Sequence, residues 1–198
     1  MFEEELVRTG YNKMGYLYNE IRNREKNFPE LDYLTTLLPS GGHILDAGCG
    51  AGEPVAKYLV EHGFQVTGID VSPRILGLAK QQVPEGEFLE GDMAQLTFPD
   101  ESFDGVVSLY ALWHISKEKH ELVFQNFYRV LKPGGILFFN TGIHAMEGTN
   151  NFLGVTMYWS SPAPKTTLAL VKAAGLKIIR DEILVRGGET QYWIFARK

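Results

Sequence analysis

A glycine-rich loop near residue 50 is the first feature whose residue types and spacing suggest chemistry. Gly48, Gly50 and Gly52 occupy alternate positions after a short apolar segment, residues 43–47. Glycine lacks a Cβ atom and adopts positive φ readily, so a large ligand can contact the main chain here. Asp70 ends the next apolar segment, where the second strand of a βαβ unit presents a carboxylate to a ribose. The pattern therefore predicts a cofactor that contains a nucleoside.

Two acidic residues favour one kind of cofactor over another. The dinucleotide fingerprint requires glycine at position 53, but this chain has Glu53 there. A pyrophosphate at this helix entrance would therefore be repelled by the Glu53 carboxylate. A cofactor with a positive centre and an amino-acid moiety avoids that repulsion, and Asp46 is placed to attract an ammonium group. A nicotinamide-dependent oxidoreductase is therefore the weaker alternative.

Residues 46–52 resemble motif I of the class I S-adenosylmethionine (SAM) dependent methyltransferases. The resemblance extends to segments 68–72, 91–93, 102–107 and 131–135, and it is to the small-molecule branch, methyltransferase type 11, which includes ubiquinone- and menaquinone-biosynthesis enzymes. It implies a Rossmann-like, doubly wound α/β fold whose seven-stranded sheet has the order 3-2-1-4-5-7-6, with the last strand antiparallel and helices on both faces. A non-catalytic SAM-binding regulator would share the same loop and remains an alternative.

The resemblance also implies which residues contact SAM. Asp70 would accept hydrogen bonds from both ribose hydroxyls, and Asp92 from the adenine amino group; each could instead cap the helix that follows it. Tyr11 and Tyr18, seven positions apart on one face of a predicted helix, would bring their hydroxyls near the methionine carboxylate. The implied cofactor contacts are Tyr11, Tyr18, Asp46, Gly48, Cys49, Gly50, Asp70, Val71, Asp92, Met93, Leu109 and Tyr110.

Aromatic, methionine and histidine residues cluster after the fourth and fifth predicted strands. Both strand ends open on one crevice, so these segments predict a largely apolar pocket for a small organic methyl acceptor. The predicted pocket residues are Trp113, His114, His144, Met157 and Trp159. His114 is the candidate base for a hydroxyl or acidic carbon, because imidazole titrates near neutrality; its alternative role is to shape the pocket.

Composition limits the class of protein. The chain has 198 residues, 44% of them hydrophobic, which predicts one domain over residues 1–198. Within it we expect an N-terminal helical cap over about residues 1–40 and a small, irregular lid over about residues 143–160. The net charge of -5, without a basic stripe, argues against a nucleic-acid partner.

Several further features are expected to be absent. We expect no metal, because His114, Glu118 and His120 lack the spacing of a convergent site. No apolar run approaches the ~20 residues of a membrane span, and the N-terminus is acidic, so we expect no membrane insertion and a cytoplasmic location. The oligomeric state is left as monomer or homodimer.

Apolar periodicity and turn residues predict the elements that would position these groups. The predicted helices span residues 53–62, 73–82, 117–131 and 168–174. The predicted strands span residues 43–47, 64–70, 87–90, 103–109, 135–141, 176–185 and 191–196. The last two are joined by a hairpin, and Ser72 with Pro73 begins the second helix.

Overall fold

The computed structural model describes residues 2–21, 29–186 and 188–198. The helices are α1 (Phe2–Ile21), α2 (Pro29–Leu37), α3 (Val55–Glu61), α4 (Pro73–Gln82), α5 (His120–Val130) and α6 (Pro164–Ala173). The strands are β1 (His43–Ala47), β2 (Gln65–Asp70), β3 (Glu87–Glu90), β4 (Phe103–Ser108), β5 (Leu131–Thr141), β6 (Met146–Phe152), β7 (Val155–Ser161), β8 (Lys177–Arg186) and β9 (Glu189–Arg197). Short 3₁₀ turns span Met93–Gln95, Leu112–His114 and Lys117–Lys119.

The main sheet has seven strands in the order β3-β2-β1-β4-β5-β9-β8. Strands β1 to β5 pair in parallel, and β9 runs antiparallel to both β5 and β8. Buried apolar side chains form one core cluster on each face of the sheet. The predicted doubly wound α/β fold is therefore confirmed. The order differs in its numbering from the predicted one, because two strands that were not predicted precede the last pair.

Local signals explain why α4 forms where the sequence predicts it. The hydroxyl of Ser72 accepts a hydrogen bond from the amide of Ile75, and Pro73 occupies the first turn. Four apolar residues of α4 are buried, two of them, Leu76 and Ala79, in a core cluster of the sheet. The predicted helix over residues 117–131 is shorter, because residues 117–119 form a 3₁₀ turn and the α-helix begins at His120.

The segment predicted as an irregular lid contains a β-hairpin. Strands β6 and β7 pair antiparallel along their whole length and form a separate two-stranded sheet. Leu153 and Gly154 form the turn with φ values of 52° and 81°, and a type I′ two-residue hairpin loop requires positive φ at both of these positions. Leucine is unusual at such a position, so the sequence carries little signal for this turn.

The N-terminal helix is kinked and packs across the carboxyl side of the sheet. Gly15 has φ 40° and ψ -111°, which interrupts α1. On one side of the kink Gly10 approaches β7, because a Cβ atom there would lie 2.1 Å from the sulfur of Met157. Helices α1 and α2 fall within the predicted cap, of which residues 22–28 lie outside the described residues. In the described ranges no helix is both long and apolar enough to span a bilayer.

Candidate active site

The glycine-rich loop makes a sharp turn at the carboxyl end of β1. Gly48 and Gly50 have φ values of 84° and 54°, a region that side chains with a Cβ atom rarely adopt. The amides of Gly48 and Cys49 both donate to the carbonyl of Ile69, which fixes the loop against the end of β2. A Cβ atom on Gly48 would lie 2.2 Å from the Cβ of Ala111. Gly48 is therefore required by both its backbone angles and the available space.

Asp70 is held beside this loop by backbone hydrogen bonds. The amide of Gly50 donates to Oδ2 at 3.1 Å, and the amide of Ser72 donates to Oδ1 at 2.9 Å. A carboxylate can accept about four hydrogen bonds, so these contacts are compatible with further donors such as ribose hydroxyls. The local fold thus orients the carboxylate before any ligand binds.

A cleft that is partly open to solvent lies between the glycine-rich loop, α1 and the turn after β4. Its described lining residues are Val7, Tyr11, Tyr18, Gly48, Gly50, Asp70, Ile75, Leu109, Tyr110, Ala111 and His114. Among them only Asp70 carries a charge at neutral pH, since His114 is neutral there. Aromatic and aliphatic groups form most of the remaining wall, as in many small-molecule sites.

His114 is held by hydrogen bonds on both ring nitrogens. Nδ1 lies 2.9 Å from the carbonyl oxygen of Tyr158, and Nε2 lies 2.8 Å from the hydroxyl of Tyr11. The side chain is buried, and its ring contacts those of Tyr11 at 5.3 Å and Trp159 at 4.5 Å between centroids. His114 therefore connects the turn after β4 with both α1 and β7.

Burial decides the charge of His114. Desolvation lowers the pKa of its imidazole to about 4, although the hydrogen bond to the Tyr158 carbonyl acts in the opposite direction. The expectation that this residue titrates near neutrality is therefore wrong for the protein without bound ligands. His114 is a neutral imidazole at physiological pH, and it acts there as a hydrogen-bonding group.

The structure brings eight of the residues implied as SAM contacts or pocket residues to the cleft. These are Tyr11, Tyr18, Gly48, Gly50, Asp70, Leu109, Tyr110 and His114. The rings of Tyr11 and Tyr18 meet edge to face at 5.2 Å between centroids. Seven residues of a regular helix rise about 10.5 Å. The kink at Gly15 therefore brings the two tyrosines together, in place of a shared face of a straight helix.

Other implied cofactor residues lie at the edge of the cleft or behind it. The Asp92 carboxylate caps the 3₁₀ turn after β3, where Oδ1 accepts from the amide of Ala94 at 2.8 Å. Cys49 is buried, and its sulfur packs over Gly68 in the core. Asp46 is buried at the end of β1, and Met93 lies beneath Gly48. None of these four side chains, nor that of Val71, is among the described lining residues.

The residues predicted to form the methyl-acceptor pocket do not all line one cleft. Trp159 packs on His114, and its indole N–H donates to Asn150. Met157 is fully buried against α1, and Trp113 is half-buried. His144 is exposed in the loop before β6. The turn after β4 and strand β7 thus contact each other directly, and of the five residues only His114 lines the cleft.

Sequence reasoning missed Val7, Ile75 and Ala111 among the lining residues. Val7, Tyr11 and Tyr18 recur at helical spacing, a signal that could have identified Val7. It also missed Asn140, a buried amide whose oxygen accepts from the amide of Tyr110 at 2.7 Å. An asparagine inside an otherwise apolar strand is the signal that could have identified it.

The residues present fit SAM by steric and electrostatic criteria. Gly48 and Gly50 expose main chain at the cleft, and the oriented Asp70 carboxylate lies next to them. Because Gly48 and Gly50 have no side chains, a bulky ligand can reach the main chain there without a clash. In the part of the chain that the structure describes, no group of three or more His, Cys, Asp or Glu residues is arranged to hold a metal ion.

Most of the known proteins that this chain resembles are named as methyltransferases, and a SAM-dependent Diels-Alderase of Talaromyces variabilis is also among them. A family model described as a methyltransferase domain matches residues 45–139. YqeM of Bacillus subtilis, which carries a methyltransferase name, is 36% identical over 135 residues, or 66% of this chain and 54% of that protein. The 27-O-demethylrifamycin SV methyltransferase of Amycolatopsis mediterranei is 34% identical over 132 residues, or 62% of this chain and 48% of that protein. The chain thus spans about half the length of these relatives.

A solved structure extends the likeness over nearly the whole chain. The 1,6-didemethyltoxoflavin-N1-methyltransferase of Burkholderia thailandensis, with bound 1,6-didemethyltoxoflavin and S-adenosylhomocysteine (SAH), superposes with a TM-score of 0.79. The match covers 98% of this chain and 88% of that one at 18% identity. At this identity the likeness shows the fold alone.

Proposed function

We propose that this chain is a SAM-dependent methyltransferase that transfers the methyl group of SAM to a small organic acceptor, as the match to a methyltransferase domain and the relatives named as methyltransferases support. The observation that carries the proposal is the cleft itself. One side of it is formed by the glycine-rich loop and Asp70, and the other by the turn after β4 and by α1. A cofactor on the first side would present its reactive group toward the second.

The chain's own residues divide the work of holding SAM. Gly48 and Gly50 would admit the methionine part to main-chain contact, with Asp46 and Cys49 supporting the loop from behind. Asp70 would accept hydrogen bonds from the ribose, while Val71, Asp92 and Met93 would lie along the nucleoside. Leu109 and Tyr110 would flank the sulfonium, and Tyr18 would cover it from α1. When bound, SAM supplies a methyl group activated by its positively charged sulfur.

The lining of the cleft supports an uncharged acceptor of modest size. Ala111, Val7 and Ile75 contribute apolar surface, and Tyr11 contributes the polar group next to His114. A strongly anionic acceptor would find no cationic side chain among the described lining residues. The net charge of -5 likewise supports a small molecule over a nucleic acid.

The protein's contribution to catalysis is alignment and exclusion of water. Methyl transfer is an in-line displacement, so holding the acceptor in a near-attack position supplies much of the acceleration. The kinked α1 covers the cleft from one side and the β6–β7 hairpin packs against α1, which limits solvent access. Neutral His114 fixes the geometry of this wall without adding charge.

Two experiments test the proposal. The first compares thermal unfolding with SAM, SAH, NAD and NADP, because a ligand at 100 times its Kd stabilises the native state by about 2.7 kcal/mol. We expect stabilisation by SAM and SAH, and a selective response to NAD or NADP would refute the cofactor. The second incubates the protein with methyl-labelled SAM and a metabolite extract and follows the label by mass spectrometry. SAH binding without any labelled product would favour the non-catalytic regulator.

A further inference from the structure

The hydrogen bonds around His114 have only one consistent direction. The backbone carbonyl of Tyr158 can only accept, so Nδ1 of His114 carries the proton and donates it. The buried ring is neutral, so Nε2 carries a lone pair. The hydroxyl of Tyr11, 2.8 Å from Nε2, is therefore the donor of that second hydrogen bond.

This direction determines what Tyr11 can offer to a ligand. A phenol has one O–H, and that of Tyr11 is donated to His114. Toward any other partner the Tyr11 oxygen can therefore act only as an acceptor. An incoming group that also lacks a proton, such as an ether oxygen or a carboxylate, would place lone pairs against lone pairs. This direction therefore argues against the contact with the methionine carboxylate of SAM that the resemblance implied for Tyr11, and leaves that contact to Tyr18.

Tyr11 lies where the two sides of the cleft meet. Its ring packs with Ala51 of the glycine-rich loop and with Ile75, which follows Asp70. The same ring also packs against the cluster that contains Met157 and Tyr158. The orientation of the ring is fixed by edge-to-face contacts with Tyr18 and His114. Its helix is fixed beside it, because the Ser72 hydroxyl donates to the Asn12 side chain at 2.8 Å.

We propose that Tyr11, positioned by His114, is a specificity-determining residue that selects methyl acceptors carrying an O–H or N–H at the atom to be methylated. The proposal rests on the methyl-transfer function above and narrows its substrate class to neutral hydroxyl and N–H compounds. Tyr11 accepts the hydrogen bond of the acceptor and thereby turns a lone pair of that atom toward the methyl donor. As the bond from that atom to the methyl carbon forms, the bond from the methyl carbon to the sulfur of SAM breaks and SAH is left, and the proton of the acceptor is released to water at the open side of the cleft. His114 is the positioning residue, because its Nε2 accepts the O–H of Tyr11 and leaves the Tyr11 oxygen able only to accept.

The test uses a pair of probes that differ only in this proton. Phenol carries an O–H, and anisole is its methyl ether. Binding of each to the complex of the protein with SAH is measured by ligand-detected NMR, for wild type, Tyr11→Phe and Tyr16→Phe. Tyr16 is the matched control, because it lies on the same helix but is 54% exposed and outside the described cleft lining. Loss of one hydrogen bond corresponds to roughly 2- to 12-fold in affinity.

We expect wild type and Tyr16→Phe to prefer phenol over anisole, and Tyr11→Phe to lose this preference by weakening phenol alone. A second readout is the ¹⁵N resonance of His114 Nε2 in histidine-labelled protein. It should shift in Tyr11→Phe and stay in place in Tyr16→Phe, because only the first change removes the donor to that nitrogen. This readout needs neither cofactor nor turnover.

Distinct results would overturn the proposal. Absence of a phenol preference in wild type, or the same preference in Tyr11→Phe, would remove Tyr11 as the selecting group. Weaker SAH binding in Tyr11→Phe with an unchanged probe ratio would assign Tyr11 to the cofactor instead. A protonated, pyrrole-type Nε2 resonance in wild type would refute the hydrogen-bond direction, and an Nε2 resonance that does not respond to Tyr11→Phe would refute the hydrogen bond itself. Failure of the wild-type protein to bind SAH at all would be failure of the proposed function, which is seen before any variant is made.

Discussion

Substitution of Gly48 by alanine probes the loop that we place under the cofactor. Gly48 has φ 84°, and its added Cβ would lie 2.2 Å from the Cβ of Ala111 and 3.3 Å from the terminal carbon of Met93. Gly63 is a matched control, because its φ is 83° and a Cβ there meets nothing within 4 Å. Both variants place a residue with a Cβ atom in the left-handed backbone region, and only Gly48→Ala also brings that Cβ into steric overlap with Ala111.

The expected magnitudes follow from these two terms. A residue with a Cβ atom in the left-handed region costs about 1–2 kcal/mol, and this should be the whole effect of Gly63→Ala. Overpacking adds about 1–3 kcal/mol, so Gly48→Ala should lower the free energy of unfolding by roughly 2–5 kcal/mol. The shift of the loop that relieves the overlap should also weaken SAH binding by at least tenfold, or about 1.4 kcal/mol.

Urea unfolding measures the free energy of unfolding, and calorimetric titration measures SAH affinity for the folded variants. The double variant Gly48→Ala with Ala111→Gly removes the atom that the new Cβ meets. The double variant should regain most of the unfolding free energy lost to overpacking and none of that lost to the backbone conformation. The effects of the two substitutions on the free energy of unfolding should therefore not be additive. Equal stability of Gly48→Ala and Gly63→Ala, with unchanged SAH affinity, would refute the reasoning.

Three further predictions concern the site. Asp70→Ala should weaken SAH binding by about 1.5–3 kcal/mol, the scale of hydrogen bonds to a charged acceptor, as measured by calorimetry. His114 should make stability pH-dependent: its folded pKa of about 4 lies below the ordinary 6.5, so the unfolded chain binds the proton first. The contribution of neutral His114 to the free energy of unfolding is complete above about pH 6.5, and about 3 kcal/mol of that free energy is lost as the pH falls to 4. Trp159→Ala should lower turnover through His114, while SAH affinity stays within about threefold, or 0.7 kcal/mol.

Each of these predictions has its own control. Asp100→Ala, at an exposed surface position, should leave SAH affinity unchanged, and equal affinity in Asp70→Ala would remove that residue from the site. For the pH prediction, the difference in unfolding free energy between wild type and His114→Gln isolates one group from other titrations. A difference that does not vary between pH 7 and pH 4 would contradict the buried, neutral imidazole. Normal turnover in Trp159→Ala would show that its packing on His114 is not needed.

The elements of the main sheet could be predicted because their signals are local. Helix α4 was predicted with its observed bounds, since Ser72, Pro73 and the apolar spacing act within one element. Strand β1 also has its predicted bounds, since a short apolar segment between turn residues suffices to mark a buried strand. Strand β3 has its predicted bounds as well, although only Phe88 in it is buried. The resemblance in motif I predicted the glycine-rich loop beside Asp70 for the same reason.

The β6–β7 hairpin was missed because its stability is not local. Strand β6 is mostly exposed, and its glycine and asparagines have low strand propensity. Its turn places Leu153 at φ 52° without the Asn-Gly signal of such loops. What holds the hairpin is pairing with β7, which in turn is buried against α1 through Met157.

The sequence by itself determined the fold class, the glycine-rich loop and the acid that faces it, because each is encoded within one βαβ unit. Only the tertiary structure decided the chemistry of the opposite wall. Tyr11 and His114 are separated by 103 positions, and they meet because α1 packs over the turn after β4. Burial at that junction removes the charge of His114 and fixes its tautomer. Desolvation depends on what surrounds a group in space, which residue type and spacing do not specify.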